Sequence, residues 1–306
     1  MRPLLVLLAV FVLFACTEAP QSTAAKIAAP ETTAVCEGDL VRGLFSPDGA
    51  AVACTGAKYR GLSLHFLRDG KKAVLSTAEG AGIAPAWSPD GANIAFRERY
   101  DTADGVRERI VTVKAADLSR AVEADGLTVT MPLFWRGALT AIRPDTLRPT
   151  LFHGPDASTR IAALPTAVTT PAGVKILPAP DAKPVALAAG SHSPIVSPDG
   201  RWVSYIEGNA VRLYDLASGS DRRLTGGSHP VWMPNGRGLV VAVTRDDGRD
   251  IAAATLYLVS LDGAARRIVT APGAIPLYPD VTADGARILY TDHATGRILV
   301  QSLVTE

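Results

Sequence analysis

The phrase Ser-Pro-Asp-Gly occurs three times, at Ser46-Pro47-Asp48-Gly49, Ser88-Pro89-Asp90-Gly91 and Ser197-Pro198-Asp199-Gly200. Looser copies stand at Met233-Pro234-Asn235-Gly236 and Thr282-Ala283-Asp284-Gly285. Proline presets φ for a turn, aspartate bonds to nearby backbone and glycine accepts positive φ, so the phrase predicts a hairpin turn. A short apolar run precedes each copy and another follows. A turn repeated at such intervals predicts an architecture of stacked, similar units.

The units align by column. Upstream of the turn, Pro85, Pro132, Pro194, Pro230 and Pro279 share a position, and only Gly43 departs from it. Proline suits the start of a strand, where no ladder donor is lost. Downstream, the third and fifth residues after the glycine are mostly apolar: Val52 and Cys54, Ile94 and Phe96, Val203 and Tyr205, Leu239 and Val241, Ile288 and Tyr290. Period-two spacing puts each pair on one face of a strand. Core packing is the expected role of these residues, and of Trp87 and Trp232 before the turns. Pro132-Leu133-Phe134-Trp135-Arg136-Gly137 is a sixth copy that keeps the proline and glycine and has lost the rest, with Thr140 and Ile142 at its packing positions. The glycines at 49, 91, 137, 200, 236 and 285 are 42, 46, 63, 36 and 49 residues apart. That is about the length of a four-stranded propeller blade. The excess in the long interval lies in the Pro- and Ala-rich residues 165–190, around Ala179-Pro180-Asp181. Lacking the turn phrase, this stretch is expected to be an insertion or added hairpin between blades three and four, not a further blade.

Third and fourth strands follow each turn, most plainly at Val211 to Asp215 and Arg222 to Thr225, and again at Leu256 to Ser260 and Arg266 to Thr270. With these columns the sequence closely resembles the TolB-type, WD-repeat-like β-propeller family from about residue 37 to 306. The resemblance implies an all-β fold, a six-bladed β-propeller of four-stranded blades over residues 36–306. TolB itself also has an α/β domain ahead of its propeller. No stretch of this sequence reads as one, so TolB's own role is not implied. The last unit ends at its third strand, Arg297 to Val304, and residues around Thr32 to Cys36 are expected to pair back as its fourth.

Ahead of the repeats, Arg2 precedes an apolar run from Leu4 to Phe14. The run is too short for a mature membrane span and fits a signal-peptide core. Its end, Leu13-Phe14-Ala15-Cys16, resembles a bacterial lipoprotein signal, which implies cleavage after residue 15 and lipidation of Cys16. An ordinary secretory signal with an incidental cysteine is the alternative. Thr17 follows, not the aspartate associated with inner-membrane retention, so the family rule points to the periplasm with anchoring in the outer membrane. Residues 16–35 are rich in Ala, Thr and Pro and read as a flexible tether, with a reach of about 25 Å.

Charge is balanced at 31 basic and 30 acidic side chains, with no basic stripe, so nucleic acid is not an expected partner. Cys36 and Cys54 are left over in an oxidising compartment, either as a disulfide or with Cys54 as a small core residue. Catalytic signatures are missing: no Gly-x-Ser-x-Gly, no His-Glu-x-x-His, no cysteine pair at zinc spacing. The histidines, His65, His153, His192, His229 and His293, are scattered over the units. The acidic runs at Asp101 to Asp104 and Asp246 to Asp250 read as solvated turn tips. No metal or cofactor is implied.

One constellation stands out. The first strand of a blade lines the central channel and starts at one mouth. The residues just before the proline column are Arg42, Ala84, Met131, Ser193, His229 and Tyr278. Arg42, His229 and Tyr278 belong to blades one, five and six, adjacent in a closed ring. His192 and Ser228 stand one position earlier, and Asp280 one after the column. Together they predict a polar sector at the mouth that takes a small polar ligand or a peptide end, or else ordinary solvated rim. The function expected is a non-enzymatic, monomeric envelope scaffold that binds other envelope proteins and meets the membrane only through its anchor. The alternative is a sugar-, peptide- or small-ligand-binding protein, or a metal-assisted lyase or lactonase, using the channel mouth.

Overall fold

The structure, a computed structural model, describes residues 29–127, 133–135, 139–142, 149–153, 165–178 and 182–306. The signal segment, Cys16 and most of the tether lie outside the described residues, as do Met131, Pro132, Gly137 and Ala179-Pro180-Asp181. The fold is an all-β propeller whose six repeat units are its blades. Blade one runs Leu40–Phe45, Ala51–Gly56, Leu62–Phe66, Lys72–Ser76, each strand antiparallel to the last. Blades two, four and five have the same four-strand order. In blade three, three strands are described, Leu133–Trp135, Leu139–Ile142 and Pro149–His153.

Blade six is completed from the other end of the sequence. Thr32–Cys36 pairs antiparallel with Arg297–Ser302, Thr32 opposite Gln301 and Cys36 opposite Ile298. This leaves no open sheet edge at the seam. The closing strand begins within the span expected as tether.

The apolar column explains how blades stack. Val52, Cys54, Ile94, Phe96, Val203, Tyr205, Leu239, Val241, Ile288 and Tyr290 are all at most 1% exposed. Each pair faces a neighbouring sheet: Ile94 and Phe96 pack with Leu62 and Leu64 of blade one, Leu239 and Val241 with Val211 and Leu213 of blade four. Burying such side chains is worth about 1.5–3 kcal/mol each, so the column supplies much of the ring's cohesion.

Blade four shows what residues 165–190 are. They form a three-stranded sheet, Thr166–Thr170, Gly173–Leu177 and Val185–Ala186. Val203 and Tyr205 pack on its Ala167, Val174 and Ile176. The stretch is thus more than a surface insertion or a single hairpin. It packs against blade four and gives it the neighbour its apolar column needs. Hydrophobic pattern places it there without the turn phrase.

The turn phrase is a closed hydrogen-bond unit. In blade one, Ser46 Oγ donates to Asp48 Oδ1 (2.5 Å) and accepts from Ala51 N–H (2.9 Å), while Asp48 Oδ1 also accepts from Ala50 N–H (3.0 Å). Blades two, four and six repeat it with Ser88, Ser197 and Thr282. The hydroxyl, foremost, and the backbone N–H hold Asp48, Asp90, Asp199 and Asp284 below the usual carboxylate range. Ser46, Ser88 and Ser197 are 3%, 3% and 4% exposed, with their hydroxyls committed to the turn.

Candidate functional site

Successive strands of a blade reverse direction. The turn phrase, joining first and second strands, therefore lies at one end of the ring. The starts of the first strands lie at the other, with the hairpins that join second and third strands. At this hairpin end the structure holds a pocket of about 340 Å³. Its walls include Arg42 and Tyr59 of blade one, His192, Ser193 and Gly208 of blade four, Ser228 and His229 of blade five, and Tyr278 of blade six.

The backbone turns these side chains into the pocket by a repeated irregularity. Ser193 (φ 53°), His229 (φ 51°) and Tyr278 (φ 49°) are left-handed, as is Ala84 (φ 47°) of blade two. Each precedes the column proline. Positive φ is uncommon outside glycine and the residue before proline is biased toward extended backbone, so the conformation is strained. The ladder shifts register at the same points: between His192 and Ile195, Ser228 and Val231, Leu277 and Asp280. These are β-bulges, which re-aim side chains. Blade one reaches the pocket differently. Its column residue is Gly43, where a Cβ would lie 3.0 Å from Ile298 Cγ2. Arg42 precedes it without positive φ, after a register shift of its own.

Inside the pocket the His229 and Tyr278 rings are in tilted contact, 4.1 Å between centroids and 59° between planes. His229 Nδ1 is 2.9 Å from Ser228 Oγ, and His192 Nδ1 is 2.9 Å from Ser193 Oγ. Burial, then the charges of Arg42 and His192, push the His229 pKa down to about 4, so the ring is neutral at pH 7. Tyr278 is raised, by burial first and then by the neighbouring Tyr59. Arg42 has no ion pair among the described residues, and no carboxylate lines the pocket.

The sequence columns therefore bring Arg42, His192, Ser228, His229 and Tyr278 together. Asp280 is placed elsewhere. The bulge at Leu277–Asp280 turns its carboxylate to the seam, where it accepts from the Phe45 N–H of blade one at 2.8 Å. Burial pushes its pKa up to about 6, opposed by that hydrogen bond and by Arg42. Tyr59 is the pocket residue that the columns missed. It lies in the Ala57–Tyr59 turn, where Lys58 and Tyr59 are both left-handed, and an aromatic in a hairpin loop has no column to mark it.

Cys36 and Cys54 form a disulfide, with Cα atoms 6.7 Å apart, joining the closing strand to blade one. His65 lies against it, its Nδ1 3.0 Å from Val35 O and its Nε2 3.0 Å from Ser63 Oγ. The ligand atoms of Cys36, Cys54 and His65 lie within 4.8 Å of one another. With both sulfurs in the disulfide, the trio is a structural staple, not a metal centre. Around it the seam is held by Thr291 Oγ1 donating to Val41 O (3.1 Å) and Arg287 Nη2 donating to Gly49 O (2.6 Å).

The second and third strands of blade two, Asn93–Thr102 and Gly105–Lys114, are ten residues each. Those of blade four have six. The extra length extends at the hairpin end. A charge network stiffens its base: Glu98, 2% exposed, accepts from Arg109 Nε (2.8 Å) and Ser76 Oγ (2.6 Å), and Arg97 pairs with Glu108 (3.3 Å). Every member is partnered, so the network reads as structural.

No protein-family model matches the chain, and no curated protein does. Solved structures do. The β-propeller domain of Cps50 (Swd1) from Myceliophteria thermophila aligns at 11% identity and a TM-score of 0.61, over 89% of this chain and 99% of that one. TolB from Acinetobacter baumannii aligns at 19% identity and a TM-score of 0.47, over 74% of this chain. The chain spans about half of that TolB, 53% of its length. An oligogalacturonate lyase in complex with manganese aligns at 15% identity and a TM-score of 0.46, over 88% of this chain and 79% of that one. At these identities the likeness is one of fold, and the chain is a β-propeller of the architecture that WD-repeat domains share.

Proposed function

We propose that this chain is a non-enzymatic binding module, a propeller scaffold that grips its partner at the hairpin end. The observation that carries the reading is the convergence of strained, left-handed Ser193, His229 and Tyr278 on one pocket with Arg42 and Tyr59. Strain of this kind persists where the surrounding structure holds it and clusters at functional sites. The long hairpins of blades two and five stand at the same end as the pocket and add contact surface to it. The lipoprotein-like Leu13-Phe14-Ala15-Cys16 supports an address in the bacterial envelope, periplasmic and anchored in the outer membrane through Cys16, with envelope proteins as partners. A metal-assisted lyase or lactonase is the weaker reading. The pocket lining has two imidazoles and no carboxylate, a thin donor set for a hard divalent ion.

A photo-crosslinking residue at Gly208, in the pocket wall, and another at Asp90, in a turn phrase, test the reading in cells. Crosslinked envelope proteins are expected from position 208 and not from position 90. Equal products from both, or products from position 90 alone, overturn it.

A further inference from the structure

We infer that the pocket binds a carboxylate monoanion, held by the Arg42 guanidinium with the Tyr59 and Tyr278 hydroxyls, against the His229 ring. The inference rests on the pocket being the binding site proposed above, and adds the ligand's chemistry.

The donor set points to an anion. Arg42 brings a planar fork of N–H donors with no ion-pair partner among the described residues. Around it are the hydroxyls of Tyr59, Tyr278, Ser193 and Ser228, and no carboxylate to compete for them. The charge count points to a carboxylate, not a phosphate. A phosphomonoester carries about −1.5 to −2 at pH 7, and the pocket opposes it with one fixed cation. His229 adds no second charge, because burial keeps its ring neutral. Sites for dianions add lysines, a helix N-terminus or a metal, and this all-β pocket is lined by none of the first two. Arg42 also acts on the nearby Asp280 carboxylate, so a dianion would meet still less net positive charge and a monoanion is the better match in a partly dry site. The His229 and Tyr278 rings, in tilted contact, offer an aromatic wall for an apolar or ring-shaped remainder. A pocket of about 340 Å³ takes a small organic acid or the last residue of a peptide.

Isothermal titration calorimetry on the full chain tests this with paired probes: N-acetyl-phenylalanine against its amide, glucuronate against glucose, and inorganic phosphate. At least one carboxylate is expected to bind at least about tenfold more tightly than its neutral partner and than phosphate. N-acetyl-phenylalanine as the ligand identifies a peptide end as the source, and glucuronate a sugar acid. Arg42→Gln is expected to weaken that binding at least about tenfold, and Arg42→Lys by less, both melting as the parent does. Absence of binding by either carboxylate, equal binding of the neutral partners, tighter binding of phosphate, or an Arg42→Gln variant that binds like the parent overturns the inference. Crosslinking from position 208 is read independently. If it succeeds while the carboxylates fail, the pocket is a binding site of other chemistry.

Discussion

The two ends of the ring both need left-handed residues, and they meet the need in opposite ways. At the turn end the position is glycine in every copy among the described residues: Gly49, Gly91, Gly200, Gly236 and Gly285, with φ between 65° and 72°. At the hairpin end it is never glycine among the described blades: Ala84, Ser193, His229 and Tyr278, each before a proline. Left-handed backbone costs an L-residue roughly 1–2 kcal/mol and costs glycine almost nothing. Glycine would therefore be the favourable choice at both ends. The turn end, whose polar groups satisfy one another, takes it. The hairpin end keeps side chains at a cost in stability, and three of the four line one pocket. The difference separates what builds the ring from what the ring presents.

The largest effect expected is in pH dependence. The folded His229 pKa, about 4, is below its ordinary 6.5, so the unfolded chain binds the proton better. This contribution is fully present above pH 6.5 and is lost as pH falls toward 4. Asp280 has the opposite sign. Its folded pKa, about 6, is above 3.8, so it favours the folded state at low pH and loses that contribution as pH rises through 6. Each is worth on the order of 3 kcal/mol, and over pH 4–6 they oppose each other. Chemical denaturation across that range should find His229→Gln destabilised as pH rises and Asp280→Asn stabilised as pH rises, each relative to the parent. Parallel profiles for all three proteins would contradict the assigned environments.

Next in size, Ser197→Ala at the turn end should lower stability by about 1–3 kcal/mol, because it strips a buried unit of its central hydroxyl. Ligand and partner binding should be unchanged. A loss of binding in a variant that stays folded would blur the division between the ends. The smallest and sharpest test is a reciprocal pair. Gly91→Ala, with no atom nearer than 3.6 Å to the new methyl, isolates the backbone term and should cost about 1 kcal/mol. Ser193→Gly, exposed at the pocket rim, should gain up to about 1 kcal/mol while weakening binding. Melting curves showing the same sign for both would break the comparison.

Much of this was legible in the residues. The turn phrase and apolar column locate the blades because each reports one physical demand, a tight turn and a face against a neighbouring sheet. The column before the proline finds Arg42, Ser193, His229 and Tyr278 because it marks where first strands begin. What it could not show was the left-handed backbone, which the following proline argues against. The same hidden bulge misplaced Asp280, since one extra residue sends the next side chain the other way. Tyr59 had no column to betray it. Residues 165–190 were legible as an extra stretch, but their packing against blade four followed from Val203 and Tyr205 needing a neighbour.

The disulfide between the closing strand and blade one also sets how the ring carries mechanical load. Tension arriving along the chain from the N-terminal side first meets Thr32–Cys36, which can be peeled from Arg297–Ser302 one residue at a time, starting at Thr32. The peel stops at Cys36, where the covalent link transfers the pull directly to Cys54 in the second strand of blade one. Beyond that point force bypasses the first strand of blade one and its contacts with blade six. A pull from the N-terminal side can therefore fray one strand while the rest of the propeller, with the pocket that spans the seam, keeps its shape.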